Sequence, residues 1–143
     1  MIVRPHLKML AGDYLCYVNL AHDRGLDPQC RLCQALSSHP APAEDLVHLL
    51  TRCRGTADTR DRVLPNLLNT ISKYFPSNRI LTNPAHDLLT QLILDCSSLN
   101  LPTDIRIAAT HPGFLSISRQ CSLLISSIHK HRTRQLKAMG LLG

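Results

Sequence analysis

Four residues in the first third of the chain have the types and spacing of a metal site. Cys30-Arg-Leu-Cys33 is followed, after fourteen intervening residues, by His48-x4-Cys53. Three thiolates and one imidazole are the donors that a closed tetrahedral zinc centre takes. Two cysteines separated by two residues lie on one tight turn and point the same way. His48 and Cys53 lie about one and a half turns apart on a short helix that has to unwind near its end. The loop Ser37-Ser38-His39-Pro40-Ala41-Pro42 is long enough to bring the halves together, and His39 within it is the alternative third ligand. A catalytic zinc keeps one position open for water, and this quartet leaves none, so the ion is read as a single structural zinc (Zn2+) and the chain as a non-enzyme. Glu44, one turn before His48, is explained by the preference of helix N-termini for anions.

The remaining cysteines, Cys16, Cys96 and Cys121, each sit within an apolar periodic run and read as small buried hydrophobes. A disulfide set would need an oxidising compartment, and residues 1–10 lack the apolar core of a secretory signal. No stretch approaches the ~18 apolar residues of a membrane span. The expectation is a soluble intracellular protein, nuclear or cytoplasmic, with neither a membrane partner nor a small-molecule substrate.

The elements that must position the quartet read as mainly α, organised as a helical lead-in over 1–28, a small zinc knuckle over 29–56, and a helical region over 57–143 ending in a basic helix. Glu44 to Arg52 reads as a short helix with Leu46, Leu49 and Leu50 on one face. Gly55 is placed to end it and Thr56 to cap the next helix, which Pro65 should kink or interrupt. Asn83-Pro84 reads as a cap and first turn opening a helix over 85–95. Residues 99–112, with two prolines and alternating Ile105 and Ile107, suggest an extended connector. From Phe114 the apolar positions Ile117, Cys121, Leu124 and Ile128 recur at three and four residues, giving a long amphipathic helix closed by Gly140. With two Phe, three Tyr and no Trp among 143 residues, the core must be built from Leu, Ile, Val and Ala. Such a core gains most from a metal staple, because metal-binding free energy becomes folding free energy.

The net charge of +6 is concentrated at one end: residues 119–143 hold Arg119, Lys130, Arg132, Arg134 and Lys137 and no acidic residue. A localised cationic segment attracts phosphates and releases their counterions, giving a salt-dependent affinity indifferent to sequence. Arg31, Arg52 and Arg54 adjoin the proposed ligands and extend the cationic surface. Scarce aromatics argue against single-strand recognition by base stacking.

The order Cys30-Arg-Leu-Cys33, variable loop, Glu44-Asp-Leu-Val-His48-Leu-Leu-Thr-Arg-Cys53 and Thr59-Arg60-x-Arg62 resembles the zinc-binding region that follows the reverse transcriptase in non-LTR retrotransposon polyproteins. Lys8-Met9-Leu10-Ala11-Gly12-Asp13-Tyr14 is similar to the segment leading into that knuckle, and the resemblance covers residues 7–75. It implies binding of element RNA or target DNA beside a polymerase, with the rest of the polyprotein as a partner and zinc holding the module together. It does not imply polymerase activity, since no Asp-Asp pair of the kind that holds two magnesium ions is present. The alternative is a protein-interaction module in which zinc staples a helical scaffold and the leucine-rich helices dock a partner.

Overall fold

A computed structural model describes residues 28–36 and 41–141, together with Met9 and Cys16. The lead-in over 1–28 and the loop carrying His39 fall almost wholly outside the described residues. The fold is mainly α, as the periodicity predicts, and among the described residues the only β pairing is an isolated antiparallel bridge between Gln29 and Ala43.

Five α-helices are described: α1 (Arg31–Leu36), α2 (Ala57–Tyr74), α3 (Arg79–Thr82), α4 (His86–Leu94) and α5 (Phe114–Ala138). Between α1 and α2 lie a π-helical turn (His48–Arg52) and a 3-10 turn (Arg54–Thr56). The core forms where α2 lies along α5 and α4 packs on α5 and on the π-helical turn. Val63, Leu67 and Ile71 of α2 share one cluster with Leu89, Leu92 and Ile93 of α4 and with Ile117, Leu124, Ile125 and Ile128 of α5. Each fully buried Leu or Ile contributes roughly 1.5–3 kcal/mol against leaving it in water. As composition demands, aliphatic side chains fill the space that rings occupy elsewhere.

Several local expectations are corrected. Helix α2 runs unbroken through Pro65. Proline removes one N–H bond, but Pro65 and Asp61, the residue four before it, are both solvent-exposed, so water can satisfy the released carbonyl while the buried face holds the helix together. Thr56 makes no side-chain cap; its hydroxyl instead accepts from Arg60 Nη1 at 3.4 Å. Asn83 closes the short α3 rather than opening α4, and the cap in this region is Asn78, whose side chain accepts from the Leu81 N–H at 3.0 Å. Residues 95–113 are a series of turns that buries Leu101, Ile105 and Ile107, not an extended connector. Arg106 holds these turns by donating to the carbonyls of Ser98, Leu99 and Leu101.

Helix α5 ends as expected. Gly140 adopts φ 74°, its N–H bonds the Lys137 carbonyl at 3.0 Å, and the Leu141 N–H bonds the Leu136 carbonyl at 2.9 Å. This is a Schellman closure, which the missing Cβ permits. No helix among the described residues is long and apolar enough to cross a membrane.

Candidate metal centre

The site is assembled from three short elements, none with a core of its own. The first is the Gln29–Ala43 bridge, where the Cys30 N–H donates to the Pro42 carbonyl at 2.7 Å and the Glu44 N–H to that of Pro28 at 3.0 Å. These bonds clamp the two ends of the 31–42 excursion together. The second is α1, which begins when the Gln34 N–H bonds the Cys30 carbonyl at 3.0 Å, placing Cys33 one turn beyond Cys30. The third is the His48–Cys53 turn. Of the two acidic residues the sequence places at this helix start, Glu44 and Asp45, it is Asp45 that caps it, accepting from the His48 N–H at 2.8 Å.

The turn is π-helical, not α-helical: the Cys53 N–H reaches back to the His48 carbonyl at 2.7 Å. In an α-helix two residues five apart point about 140° away from each other. The wider π turn, followed by extended backbone at Cys53 (φ −60°, ψ 122°), returns both side chains to one side. The x4 spacing is what the wider turn accommodates.

All four residues are buried, and their donor atoms lie within 4.8 Å of one another. Cys53 Sγ stands 3.8 Å from Cys30 Sγ and 3.9 Å from Cys33 Sγ, while Cys33 Sγ stands 3.5 Å from His48 Nε2. An ion holding sulfur at about 2.3 Å and nitrogen at about 2.0 Å in a tetrahedron needs S···S edges of about 3.8 Å and S···N edges of about 3.5 Å. These three of the six edges match, and the sulfurs are far too separated for disulfides, which need about 2.05 Å. The donor set therefore fits one tetrahedral zinc, with Cys30, Cys33, His48 and Cys53 as the residues that would hold it. The contribution of such an ion is cohesion.

The thiols are already unequal in the protein's own field. A hydrogen bond from Cys30, with help from His48, holds the Cys53 thiol well below the usual range against the opposing effect of burial. Cys30, as donor in that bond and buried besides, is pushed far up. The other cysteines are of a different kind. Burial is the first cause that raises Cys16 to about 12 and Cys96 to about 11, and it also raises Cys121.

Around the quartet lies a layer that spacing alone does not reveal. Arg60, 8% exposed, donates from Nη2 to the Cys53 carbonyl at 2.7 Å, locking the extended end of the π turn to α2. Glu44, 1% exposed, brings Oε2 to 3.9 Å from Cys30 Sγ. Both its oxygens are gripped by Arg132 of α5, with Nη2 to Oε1 at 2.7 Å and Nε to Oε2 at 3.1 Å. Leu136, one turn further along α5, shares an apolar cluster with Cys30, Leu32, Cys33 and Cys53.

The cationic residues divide accordingly. Arg52 and Arg54 are exposed and, with Asp45 and Asp87, border an open depression of about 550 Å³ beside Cys33 and His48. Arg31 is half-buried, with Nη1 donating to Gln34 Oε1 at 2.8 Å. Lys130, Arg134 and Lys137 are exposed along one row of α5. Arg132 departs from the surface role expected of it: at 7% exposure, its guanidinium is turned inward onto Glu44. No sequence signal links residues 88 positions apart. For Glu44, the position four before His48 was visible, but its partner was not.

The chain matches no protein-family model, no curated protein and no solved structure.

Proposed function

We propose that this chain is a zinc-stapled helical module that binds RNA or DNA through backbone phosphates, similar in role to the region following the reverse transcriptase of non-LTR retrotransposon polyproteins and without a catalytic centre of its own. The observation that carries the structural half of this reading is the set of four buried donor atoms within 4.8 Å of one another, three of their separations being those of a tetrahedral zinc site. Four protein ligands close the coordination sphere and leave no position for a reacting water.

The binding half rests on the outer row of α5. Lys130, Arg134 and Lys137 are exposed at successive turns, and no acidic residue lies between 119 and 143 to neutralise them. The rises between them, about 6 Å and 4.5 Å, set three cations along about 10 Å of helix, a row that can follow a phosphate backbone. Tyr74 and Phe75 are half-buried around His111, with Phe75 stacked on it at 4.6 Å, so neither offers an open platform for a base. Contact through phosphates is the mode that remains among the described residues.

The test is fluorescence anisotropy of the zinc-loaded protein with a labelled RNA hairpin and a labelled DNA duplex across a salt series. Each phosphate contact contributes a slope of about −0.9 in log K against log salt, so replacing Lys130, Arg134 and Lys137 together with alanine flattens the slope by about 2.7. Binding that ignores salt, or a triple variant that binds as the parent does, removes the nucleic-acid reading. Salt-insensitive capture of a protein would favour the interaction-module alternative, for which Leu115 and Leu123, 63% and 50% exposed on α5, are the apolar candidates.

A further inference from the structure

We infer that Glu44 and Arg132 form a charge-compensating positioning pair of the metal centre, so that a residue of the C-terminal helix sets how tightly the centre holds its ion. The inference rests on the quartet being a metal site, as proposed above, and adds residues outside the ligand set.

Three thiolates, a neutral imidazole and a divalent ion sum to a net charge of −1, held by residues that are all buried. Glu44 brings a second negative charge to 3.9 Å from one of those sulfurs, at 1% exposure. Two buried like charges so close are tolerable only with compensation. Two buried guanidiniums supply it: Arg60 on the Cys53 carbonyl and Arg132 across both oxygens of Glu44. Among the described residues, these two guanidiniums set two positive charges against the two negative ones of the centre and Glu44. Bidentate arginine pairing is the geometry that fixes a carboxylate in both direction and charge.

The pair is also placed to position a ligand. The Glu44 backbone N–H is tied to Pro28 in the bridge that leads into Cys30, and its side chain faces the Cys30 sulfur. Holding Glu44 therefore holds the Cys30 strand from two points. Arg132 anchors that assembly to α5, where Leu136 closes over the same cysteines. Outer partners of metal ligands commonly change metal affinity by about 10- to 100-fold when removed.

Charge compensation makes a signed forecast that simple bracing does not. Arg132→Met keeps the aliphatic stem but takes the bidentate guanidinium away from Glu44 beside an anionic centre. Glu44→Gln removes the offending charge and retains an acceptor for Arg132. The double variant removes the negative and the positive charge together. Cobalt(II) affinity, measured by competition with a chromophoric chelator and read through the thiolate-to-cobalt charge-transfer band, is compared among these and two controls. One control is Arg134→Met, an exposed cation on the same helix, and the other is Ile117→Ala, a core truncation away from the centre.

The expected result is at least a tenfold loss for Arg132→Met with an altered band, Glu44→Gln within threefold of the parent, and recovery of most of the loss in the double variant. Arg134→Met binds as the parent does, and Ile117→Ala loses less than Arg132→Met. Equal losses in Arg132→Met and Glu44→Gln, or a loss in Arg132→Met no larger than in Ile117→Ala, overturn the inference. Should Arg132→Met fail to fold, Glu44→Gln and the double variant decide it: a tenfold loss in either sinks the idea. A parent that gives no charge-transfer band refutes the metal site itself, a failure distinct from these.

Discussion

Gly55→Ala tests whether the knuckle and the helical body are one packed unit. A methyl group built on Gly55 would lie 2.4 Å from Leu32 Cβ, 3.3 Å from its Cδ1 and 3.4 Å from its carbonyl carbon. Carbon atoms in contact sit about 3.5–4.0 Å apart, so roughly an ångström must be found. A rotamer change cannot supply it, because Cβ is fixed to the backbone. Helix α1 has to move, and Leu32 lies between Cys30 and Cys33, so their sulfurs move with it. A metal site accepts distance errors of about 0.2 Å. Overpacking of this kind costs about 1–3 kcal/mol, and the loss of glycine's freedom in the unfolded chain returns about 0.4–1 kcal/mol. A net destabilisation of about 1–2 kcal/mol lowers Tm by roughly 3–10 °C in a chain of this size. It should be accompanied by zinc affinity at least tenfold weaker. Circular dichroism melts with zinc present and a chelator competition without melting measure the two effects. Gly113→Ala is the control: its methyl would meet the Tyr74 ring at 2.6 Å, at the other end of α2 from the centre, so it should lower Tm and weaken zinc affinity less than Gly55→Ala does. If Gly55→Ala binds zinc and melts as the parent does, or if Gly113→Ala loses zinc equally, the argument that α1 is wedged between Gly55 and the ligands is wrong.

Two further outcomes follow from the chemistry of the cysteines. Protein purified without chelator should carry about one zinc per chain, and Cys33→Ser or His48→Ala should each lose it together with helical signal. Zinc should also leave on acidification, because protons compete for the donors; retention of zinc at about pH 4 would argue against thiolate ligation. At the alkaline end, Cys16 and Cys96 have folded pKa values raised from 9.0 to about 12 and about 11. A raised pKa adds stability that is complete below the unfolded value and is lost as pH rises through the folded one, so stability should fall between about pH 9 and pH 12. Alanine at both positions should flatten that part of a denaturation-versus-pH curve; an unchanged slope would show that these thiols do not contribute to it.

The division between what was legible and what was not follows from the range of the interactions. Local patterns carried the donor set, because Cys-x2-Cys and His-x4-Cys state their own chemistry. They carried α5 as well, since twenty-five residues of three-and-four periodicity with a closing glycine leave little choice. The scarcity of aromatic residues foretold an aliphatic core, which the cluster around Leu67, Leu92 and Leu124 is.

Where one local rule met another, tertiary packing chose. Pro65 stays within α2 because its ring faces water while Val63, Leu67 and Ile71 are held on the other side. Gly55 is glycine for the close approach of Leu32, not for a helix end. The π turn came from the need to bring His48 and Cys53 to one point, a demand made by Cys30 and Cys33 from outside that segment. The ion pair between Glu44 and Arg132 joins residues whose separation along the chain carries no pattern. Hydrophobic period and ligand spacing are properties of neighbours, so a sequence displays them; which buried charge meets which depends on how helices are laid across one another, and only the folded chain decides that.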